Sequence, residues 1–178
     1  SEEHPTQALL DLYTIWKELE RIDGLNVALV GDLKYGRTVH SLAYLLSKYN
    51  VNLFLVSHPS LRIRDEVAGD LKKLGIKFQE LSDMKEVVPK VDVLYMTRIQ
   101  KERFPDLSEY EKVKGFYTIT AELLRHAKSN MIIMHPLPRV GEIDVAVDAT
   151  PHARYFKPVF YGVVTRMAIL ALILGAIE

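Results

Sequence analysis

The chain has 178 residues, of which 48% are hydrophobic and 26% charged, as in an ordinary globular protein with a sizeable core. Lysine plus arginine and aspartate plus glutamate number 23 each, so the overall charge favours neither nucleic acid nor an anionic membrane as a partner. Cysteine is absent, which excludes disulfides, thiolate metal sites and a cysteine nucleophile, and fits a reducing or a hot compartment.

Segments rich in β-branched residues alternate with helical segments along most of the chain. A first helix begins at Pro5 and is expected to end near Asp23 and Gly24. After it, the pattern predicts strands at residues 27–30, 52–56, 77–81, 92–96 and 131–134. Helices are predicted at residues 38–48, 65–74, 83–88, 108–113 and 120–127. Such repeated βα units predict an α/β fold, here a Rossmann-like three-layer sandwich built on a mostly parallel sheet.

Two further helical segments follow the last strand, at residues 151–157 and 162–174. Within the second, residues 167–174 are strongly apolar, but Arg166 precedes this stretch and Gly175 ends it far short of the ~20 residues that a bilayer requires, so a buried helix is predicted. The first and last helices lie outside the alternating units. Either both cover the sheet as core helices, or part of their apolar surface faces another domain of a larger protein.

The segment from Val30 to Ser41 joins an apolar strand to a helix through a loop bounded by Gly31 and Gly36. The loop lies at the carboxyl end of a buried strand and at a helix N-terminus, where free N–H groups and the helix dipole favour an anion. Arg37 adds a planar group suited to a carboxylate or a phosphate. The glycine spacing matches neither common nucleotide-binding signature. The loop therefore predicts a local anion site, the alternative being a tight turn with a solvated arginine.

Polar residues also follow two other strands at the same predicted edge of the sheet. Arg98 and Gln100 come after the fourth strand, and residues 135–139 come after the last. Two arginines from separate loops, with a glutamine amide, could bind the two carboxylates of a small diacid. The alternative is an exposed ion-pair network between Glu102 and its basic neighbours.

The loop after the last strand contains two prolines, Pro136 and Pro138, which remove two N–H donors and favour extended geometry at His135 and Leu137. A rigid loop is predicted. It could present the Leu137 carbonyl to a ligand, with a cis bond before Pro138 as one option, or it could be a stiff connection.

His4 lies beside the start of the first helix, where the positive end of the dipole favours a neutral ring that can donate to a carbonyl or an oxyanion. The alternative is a solvated or capping residue. The other histidines lack the spacing of metal ligands, so no metal site is predicted. Ser41 and Ser57 have no evident histidine and acid partners, so a serine nucleophile is unsupported.

Four segments resemble, in order, motifs of the aspartate carbamoyltransferase catalytic chain: residues 4–7, 31–41, 95–103 and 135–139. The resemblance covers nearly all of the 178 residues. Ornithine carbamoyltransferases share the fold but carry a cysteine in the last of these motifs, and this chain has no cysteine. The resemblance implies a cytoplasmic transferase that moves the carbamoyl group of carbamoyl phosphate to L-aspartate in pyrimidine biosynthesis, without a metal or an organic cofactor.

The resemblance also implies roles for individual residues. His4 would be catalytic and would stabilise the negative charge that develops on the carbonyl oxygen of carbamoyl phosphate, while Gln7 would contact its amide. Arg37 and Thr38 would bind the α-carboxylate of aspartate. The implied mechanism is positioning and electrostatic stabilisation of a tetrahedral intermediate, with no covalent enzyme intermediate.

The remaining implied contacts come from the two later motifs. Arg98 and Gln100 would bind the side-chain carboxylate of aspartate, and Leu137, followed by a cis Pro138, would offer its backbone carbonyl to the amino groups of both substrates. Three supporting residues would lie behind these contacts, with the first orienting Arg98: Glu102, Lys101 and Arg139.

The N-terminal half of the family, which carries its phosphate-binding loop, has no counterpart in this sequence. We therefore expect residues 1–178 to be the L-aspartate-binding domain alone, with residues 1–23 and 152–178 as helices that cross to a missing domain. Carbamoyl phosphate would then bind only with that domain present, and the isolated chain would be inactive. The resemblance implies a homotrimer, with or without regulatory subunits. The alternative is a non-catalytic Rossmann-like binding or assembly module.

Overall fold

The computed structural model describes residues 3–177, in which strands and helices alternate as the sequence pattern predicts. The strands are β1 Asn26–Val30, β2 Asn52–Val56, β3 Lys77–Leu81, β4 Val93–Met96 and β5 Ile132–Met134. The α-helices are α1 Pro5–Leu19, α2 Arg37–Leu46, α3 Asp65–Lys73, α4 Leu107–Val113 and α5 Lys157–Ile173. The described residues also include short 3₁₀ helices, at Pro59–Leu61, Met84–Glu86, Lys101–Arg103, Leu123–His126 and Val145–Ala149.

The strands form one sheet in the order β3-β2-β1-β4-β5, and every neighbouring pair is parallel. The chain first adds strands on one side of β1 and then returns to add β4 and β5 on the other side. The crossover direction therefore reverses between β1 and β4, where Val30 lies opposite Met96. In open α/β sheets this reversal leaves a crevice at the carboxyl ends of the strands, where ligands bind.

The central strands are apolar on both sides because both faces of the sheet are covered. On one face, α1, α2 and α3 bury a cluster that includes Ile15, Leu29 and Leu42. On the other face, a second cluster that includes Val88 and Tyr155 packs under short helical turns and irregular segments rather than under long helices. The predicted α/β sandwich is confirmed, with one helical layer and one mostly irregular layer.

Several predicted element boundaries are wrong for local reasons. The first helix ends at Leu19, because Glu20 takes a left-handed conformation with φ of 56°. The helix predicted at 83–88 is a 3₁₀ turn, because Pro89 cannot continue a helix. The helix predicted at 120–127 is also a 3₁₀ turn, and the Leu123 N–H donates to the Thr120 hydroxyl at 3.2 Å.

No separate helix occupies residues 151–157. The Ile133 N–H donates to the His152 carbonyl at 2.8 Å, and the Arg154 N–H donates to the Ile133 carbonyl at 3.1 Å. These bonds extend the sheet edge beside β5 and leave α5 to begin at Lys157. The second predicted helical segment therefore starts five residues late, because α5 runs from Lys157 through Gly162 without a break.

The prediction of a buried last helix is wrong for the described residues. In α5 only Pro158 and Gly162 are buried, and a row of large apolar side chains is exposed, including Val163 (57%), Met167 (64%) and Leu170 (58%). The helix contacts the rest of the described chain mainly through α1. Among residues 3–177, no helix combines the length and hydropathy needed to cross a membrane.

Candidate functional site

A cleft of about 190 Å³ opens at the carboxyl ends of β1, β4 and β5, beside the N-terminus of α1. Its position coincides with the reversal of strand order, where the loops after neighbouring strands diverge. Polar side chains dominate the lining, which consists of His4, Gln7, Gly36, Arg37, Thr38, Thr97, Arg98, Gln100, His135, Pro136 and Leu137. The cleft thus brings together every residue predicted to contact a substrate except Pro138.

His4 is the residue that precedes α1, and the first turn of the helix fixes its position. Its backbone N–H donates to the Ser41 hydroxyl at 2.8 Å, and Ser41 in turn donates to the Glu3 carboxylate. Burial and the charges of Arg37 and Arg166 lower the pKa of His4. The neutral ring expected from the sequence is therefore favoured, although by burial and neighbouring cations. A neutral imidazole can donate one hydrogen bond into the cleft.

Gln7 lies in the first turn of α1 and is hydrogen-bonded to a buried acid. Its amide Nε2 donates to Asp11 Oδ1 at 3.0 Å, and the hydroxyl of Tyr95, on β4, donates to Asp11 Oδ2 at 2.7 Å. The side chains of Asp11 and Tyr95 are fully buried. Sequence reasoning missed both residues. The available signal was an acid four positions after Gln7 on the apolar side of a helix.

The loop between β1 and α2 is held by Asp32, a second buried acid. Asp32 Oδ1 accepts the Tyr35 N–H at 2.9 Å, and the Asp32 N–H donates to the Thr97 hydroxyl at 3.2 Å, which joins this loop to the one after β4. Burial raises the pKa of Asp32, against backbone hydrogen bonds that lower it. Arg37 then begins α2, which has no side-chain cap. The first turn of α2 therefore presents backbone N–H groups beside Arg37.

The loop after β4 contains both of the alternatives predicted for it, an arginine in the cleft and an ion pair with Glu102. Arg98 forms a two-point ion pair with Glu102, including an Nη1 to Oε2 distance of 3.3 Å, and Arg98 also lines the cleft. Gln100 lines the cleft too, and its Oε1 accepts from Arg103 Nε at 3.0 Å. Arg98 therefore both forms the ion pair and lines the cleft. Its bonds to Glu102 limit the positions that its guanidinium can take.

The loop after β5 contains a cis Leu137–Pro138 bond. The extended geometry predicted for Leu137 is wrong, because its φ is 56° and its N–H turns back to donate to His135 Nδ1 at 2.8 Å. His135 Nε2 bonds to Glu142 Oε1 at 2.7 Å. Although burial raises it, the pKa of Glu142 is lowered overall by hydrogen bonds from His135 and from backbone N–H groups such as that of Val140. This chain of bonds fixes the position of Leu137 in the cleft wall.

Four of the predicted residues do not line the cleft, one of them being Glu102, which pairs with Arg98 as described above. Pro138 is exposed, and the Lys101 amino group lies 5.9 Å from the centre of the Tyr110 ring, away from the cleft lining. Arg139 forms a two-point ion pair with Asp148, which ties the end of the β5 loop to a 3₁₀ turn. Within the described residues, no group of three histidine, aspartate or glutamate side chains is arranged to hold a metal ion.

Comparison with known proteins identifies relatives that share this fold and about half of this sequence. Residues 23–173 match the family model of the aspartate/ornithine carbamoyltransferase Asp/Orn binding domain. The aspartate carbamoyltransferase catalytic subunit of Thermococcus onnurineus is 56% identical over 178 residues, which cover 100% of this chain and 57% of that protein. The catalytic subunit of M. jannaschii aspartate transcarbamoylase is 57% identical with a TM-score of 0.87, over 96% of this chain and 55% of that one.

A more distant structure has ligands. Aspartate transcarbamoylase from Trypanosoma cruzi, in complex with carbamoyl phosphate and aspartate, is 45% identical with a TM-score of 0.89, over 94% of this chain and 56% of that one. The chain thus spans little more than half the length of these relatives. The family match, by contrast, spans most of the chain and includes the loops after β1, β4 and β5. The chain therefore belongs to the family of Asp/Orn binding domains of aspartate and ornithine carbamoyltransferases.

Proposed function

We propose that this chain is the L-aspartate-binding domain of an aspartate carbamoyltransferase, which transfers the carbamoyl group of carbamoyl phosphate to L-aspartate and releases phosphate. The observation that carries the proposal is the presence of Arg37 and Arg98, from loops after two different strands, in one cleft with His4 and Gln7. Two guanidinium groups suit a substrate with two carboxylates. The same two cations would repel the side-chain amine of ornithine.

The proposed chemistry needs only positioning and charge stabilisation. Arg37 and Thr38 bind the α-carboxylate of aspartate, and Arg98 and Gln100 bind its side-chain carboxylate, so that the amino group lies near the carbamoyl carbon. Neutral His4 donates a hydrogen bond to the carbamoyl oxygen, which gains negative charge as the tetrahedral intermediate forms.

The other groups of the cleft act on the nitrogen atoms. Gln7 contacts the carbamoyl amide, and the Leu137 carbonyl, held by the turn before Pro138, accepts from the amino groups. Glu102 orients Arg98 through their ion pair. Lys101 and Arg139 contribute indirectly, Arg139 by holding the end of the β5 loop against Asp148. The phosphate is left to residues outside this chain.

We propose that the activity belongs to a longer protein. The relatives are nearly twice as long as this chain, and α5 exposes a row of apolar side chains. In this proposal, residues 1–23 and 152–178 provide the helices that meet the carbamoyl phosphate domain. The complete protein is a cytoplasmic homotrimer, with or without regulatory subunits, and the chain alone is inactive.

Calorimetry with succinate, a dicarboxylate without the amino group, tests the proposal on the chain itself. Arg37→Ala and Arg98→Ala should each weaken binding by about 1–3 kcal/mol, the usual loss for a charge-assisted hydrogen bond. Arg62→Ala is the matched control, because Arg62 is an exposed arginine paired with Asp65 and Glu80 away from the cleft. Absence of succinate binding, or binding that neither substitution weakens, would contradict the proposal.

A second candidate function rests on the exposed face of α5. A non-catalytic assembly module would use these apolar side chains for stable contacts between proteins. Sedimentation of the chain with and without succinate separates the two candidates. A stable oligomer that ignores succinate would support the assembly module, whereas succinate binding that depends on Arg37 and Arg98 supports the transferase domain.

A further inference from the structure

We infer that Asp11 is a positioning residue that fixes the orientation of the Gln7 amide, so that Gln7 presents its carbonyl oxygen to the cleft and selects ligands that carry N–H donors there. The inference deepens the proposed function, since under that function the N–H donor is the amide of the carbamoyl group. The orientation itself depends only on the contacts within this chain.

The argument begins with the chemistry of the two ends of an amide. An ionised carboxylate can only accept hydrogen bonds, so the bond of 3.0 Å between Gln7 and Asp11 Oδ1 requires the NH₂ group of Gln7 on the Asp11 side. The oxygen of the same amide then lies on the opposite side of the group. Because Gln7 lines the cleft, a ligand meets an acceptor rather than a donor at this position.

The second oxygen of Asp11 is occupied by a donor from the sheet. Tyr95, on β4, donates its hydroxyl hydrogen to Oδ2 at 2.7 Å, and a hydrogen bond also links the Tyr95 and Thr38 side chains. Since Tyr95 has given its only hydrogen to Asp11, Thr38 must be the donor in the second bond. One carboxylate therefore sets the direction of hydrogen bonds at Gln7 on one wall of the cleft and at Thr38 on another.

The orientation depends on the proton at Asp11. A neutral carboxyl group carries an O–H, which needs an acceptor. A protonated Asp11 would therefore compete with the arrangement in which Gln7 and Tyr95 both donate to it. Burial raises the pKa of Asp11 to about 7, against the hydrogen bonds from Tyr95 and Gln7 and the charge of Arg166. These are the groups that face it from β4, from its own helix and from α5, while α2 contributes only the uncharged Thr38, through Tyr95. The arrangement should therefore change near neutral pH.

Nuclear magnetic resonance on the chain tests this directly. The side-chain ¹⁵N and NH₂ signals of Gln7 should shift with pH at the same midpoint as the ¹³C signal of the Asp11 carboxyl, and that midpoint should lie well above the ordinary aspartate value of about 4. In Asp11→Asn, which preserves shape but removes the charge, the Gln7 signals should no longer move with pH. Tyr95→Phe removes a bond that lowers the pKa of Asp11, so it should move the shared midpoint upwards.

One result would overturn the inference: Gln7 signals that do not follow the titration of Asp11, at whatever pH Asp11 titrates. If Asp11→Asn fails to fold, as judged by circular dichroism, the titration of the unmodified chain decides alone. In the longer protein, Asp11→Asn should lower kcat/KM for carbamoyl phosphate about tenfold, roughly the loss of one hydrogen bond, and leave the Kd for succinate nearly unchanged.

The two proposals fail separately. If the unmodified chain does not bind succinate, the proposed function is wrong, but the Gln7 titration still decides the role of Asp11. If succinate binds and the Gln7 signals ignore Asp11, only the positioning role is wrong.

Discussion

His135 connects the cleft wall to Glu142 through both of its ring nitrogens. Its Nδ1 accepts the Leu137 N–H, and its Nε2 bonds to Glu142, so a single neutral tautomer with the hydrogen on Nε2 satisfies both contacts. Glu142 also accepts the Val140 N–H at 3.1 Å. Glu142 does not line the cleft itself, so a substitution there tests the position of Leu137 while every residue of the cleft lining keeps its identity.

Glu142→Gln should destabilise the chain by roughly 1–3 kcal/mol at neutral pH, because a glutamine cannot accept on both of its end atoms, so the hydrogen bond from either the His135 ring or the Val140 N–H is lost. The folded-state pKa of Glu142 lies below its ordinary value, so its stabilisation is present above that value and is lost as the pH falls through the folded-state pKa. Urea unfolding at several pH values should show the gap between variant and parent closing in acid.

Glu20→Gln is the control for that prediction, since Glu20 is an exposed carboxylate at the end of α1. It should have little effect at any pH. A gap between Glu142→Gln and the parent that stays constant into acid would contradict the assigned role of the charge.

The β1–α2 connection is the element on which the cleft depends most, and a glycine shapes it. Gly31 has φ of 116°, and a Cβ at this position would overlap the backbone oxygen of Thr97. The close approach lets Asp32 bond to the Thr97 hydroxyl and brings the loops after β1 and β4 together. The separation of these two cleft walls is therefore set by backbone contact.

Gly31→Ala should destabilise the chain by more than Gly24→Ala does. Both glycines have positive φ, so both substitutions strain the backbone by about 1–2 kcal/mol, but a Cβ at Gly24 meets no atom within 4 Å. The difference in unfolding free energy, measured in urea, reports the overlap with Thr97 together with the greater backbone strain at a φ of 116°. Equal losses in the two variants would mean that the loop relaxes freely.

At the scale of elements, the sequence predicts which loops meet more reliably than it predicts their shapes. Alternating strands and helices place Arg37 and Arg98 at one edge of a parallel sheet, and the structure agrees. The turn at Leu137 escapes prediction because a ring nitrogen two residues earlier, His135, takes its N–H. The Tyr95 bond to Asp11 joins residues 84 positions apart, and no local pattern predicts such a pair.

On the scale of the whole molecule, α5 stands out because it exposes a row of large apolar side chains. The sequence pattern of α5 indicates a helix that is covered, but within the described residues its contacts are mainly with α1. Hydrophobicity predicts that a surface will be buried and does not identify the partner. When the covering surface belongs to another domain or protein, the sequence of this chain does not contain it.

We expect the chain to associate with itself as its concentration rises, through the row formed by Val163, Met167 and Leu170. Met167→Glu should shift the equilibrium towards monomer, because a charge on this row costs more to bury than to hydrate. Lys90→Glu, an exposed change outside α5, should not. Sedimentation velocity over a range of concentrations gives the answer, and a parent chain that stays monomeric throughout would contradict it.

The place where α5 crosses α1 has a mechanical consequence. A Cβ at Gly162 would come within 3.2 Å of the Leu10 side chain, so the small residue allows the two helices to approach closely. His4 and Gln7 precede Leu10 and Asp11 follows it directly, so the part of α1 that lines and supports the cleft lies next to this crossing. A change in how α5 packs therefore acts first on the helix that carries His4 and Gln7, whereas Arg98 and Leu137 follow β4 and β5 directly. The cleft wall formed by α1 thus packs against α5, whereas the walls formed by the loops after β4 and β5 are attached directly to the sheet.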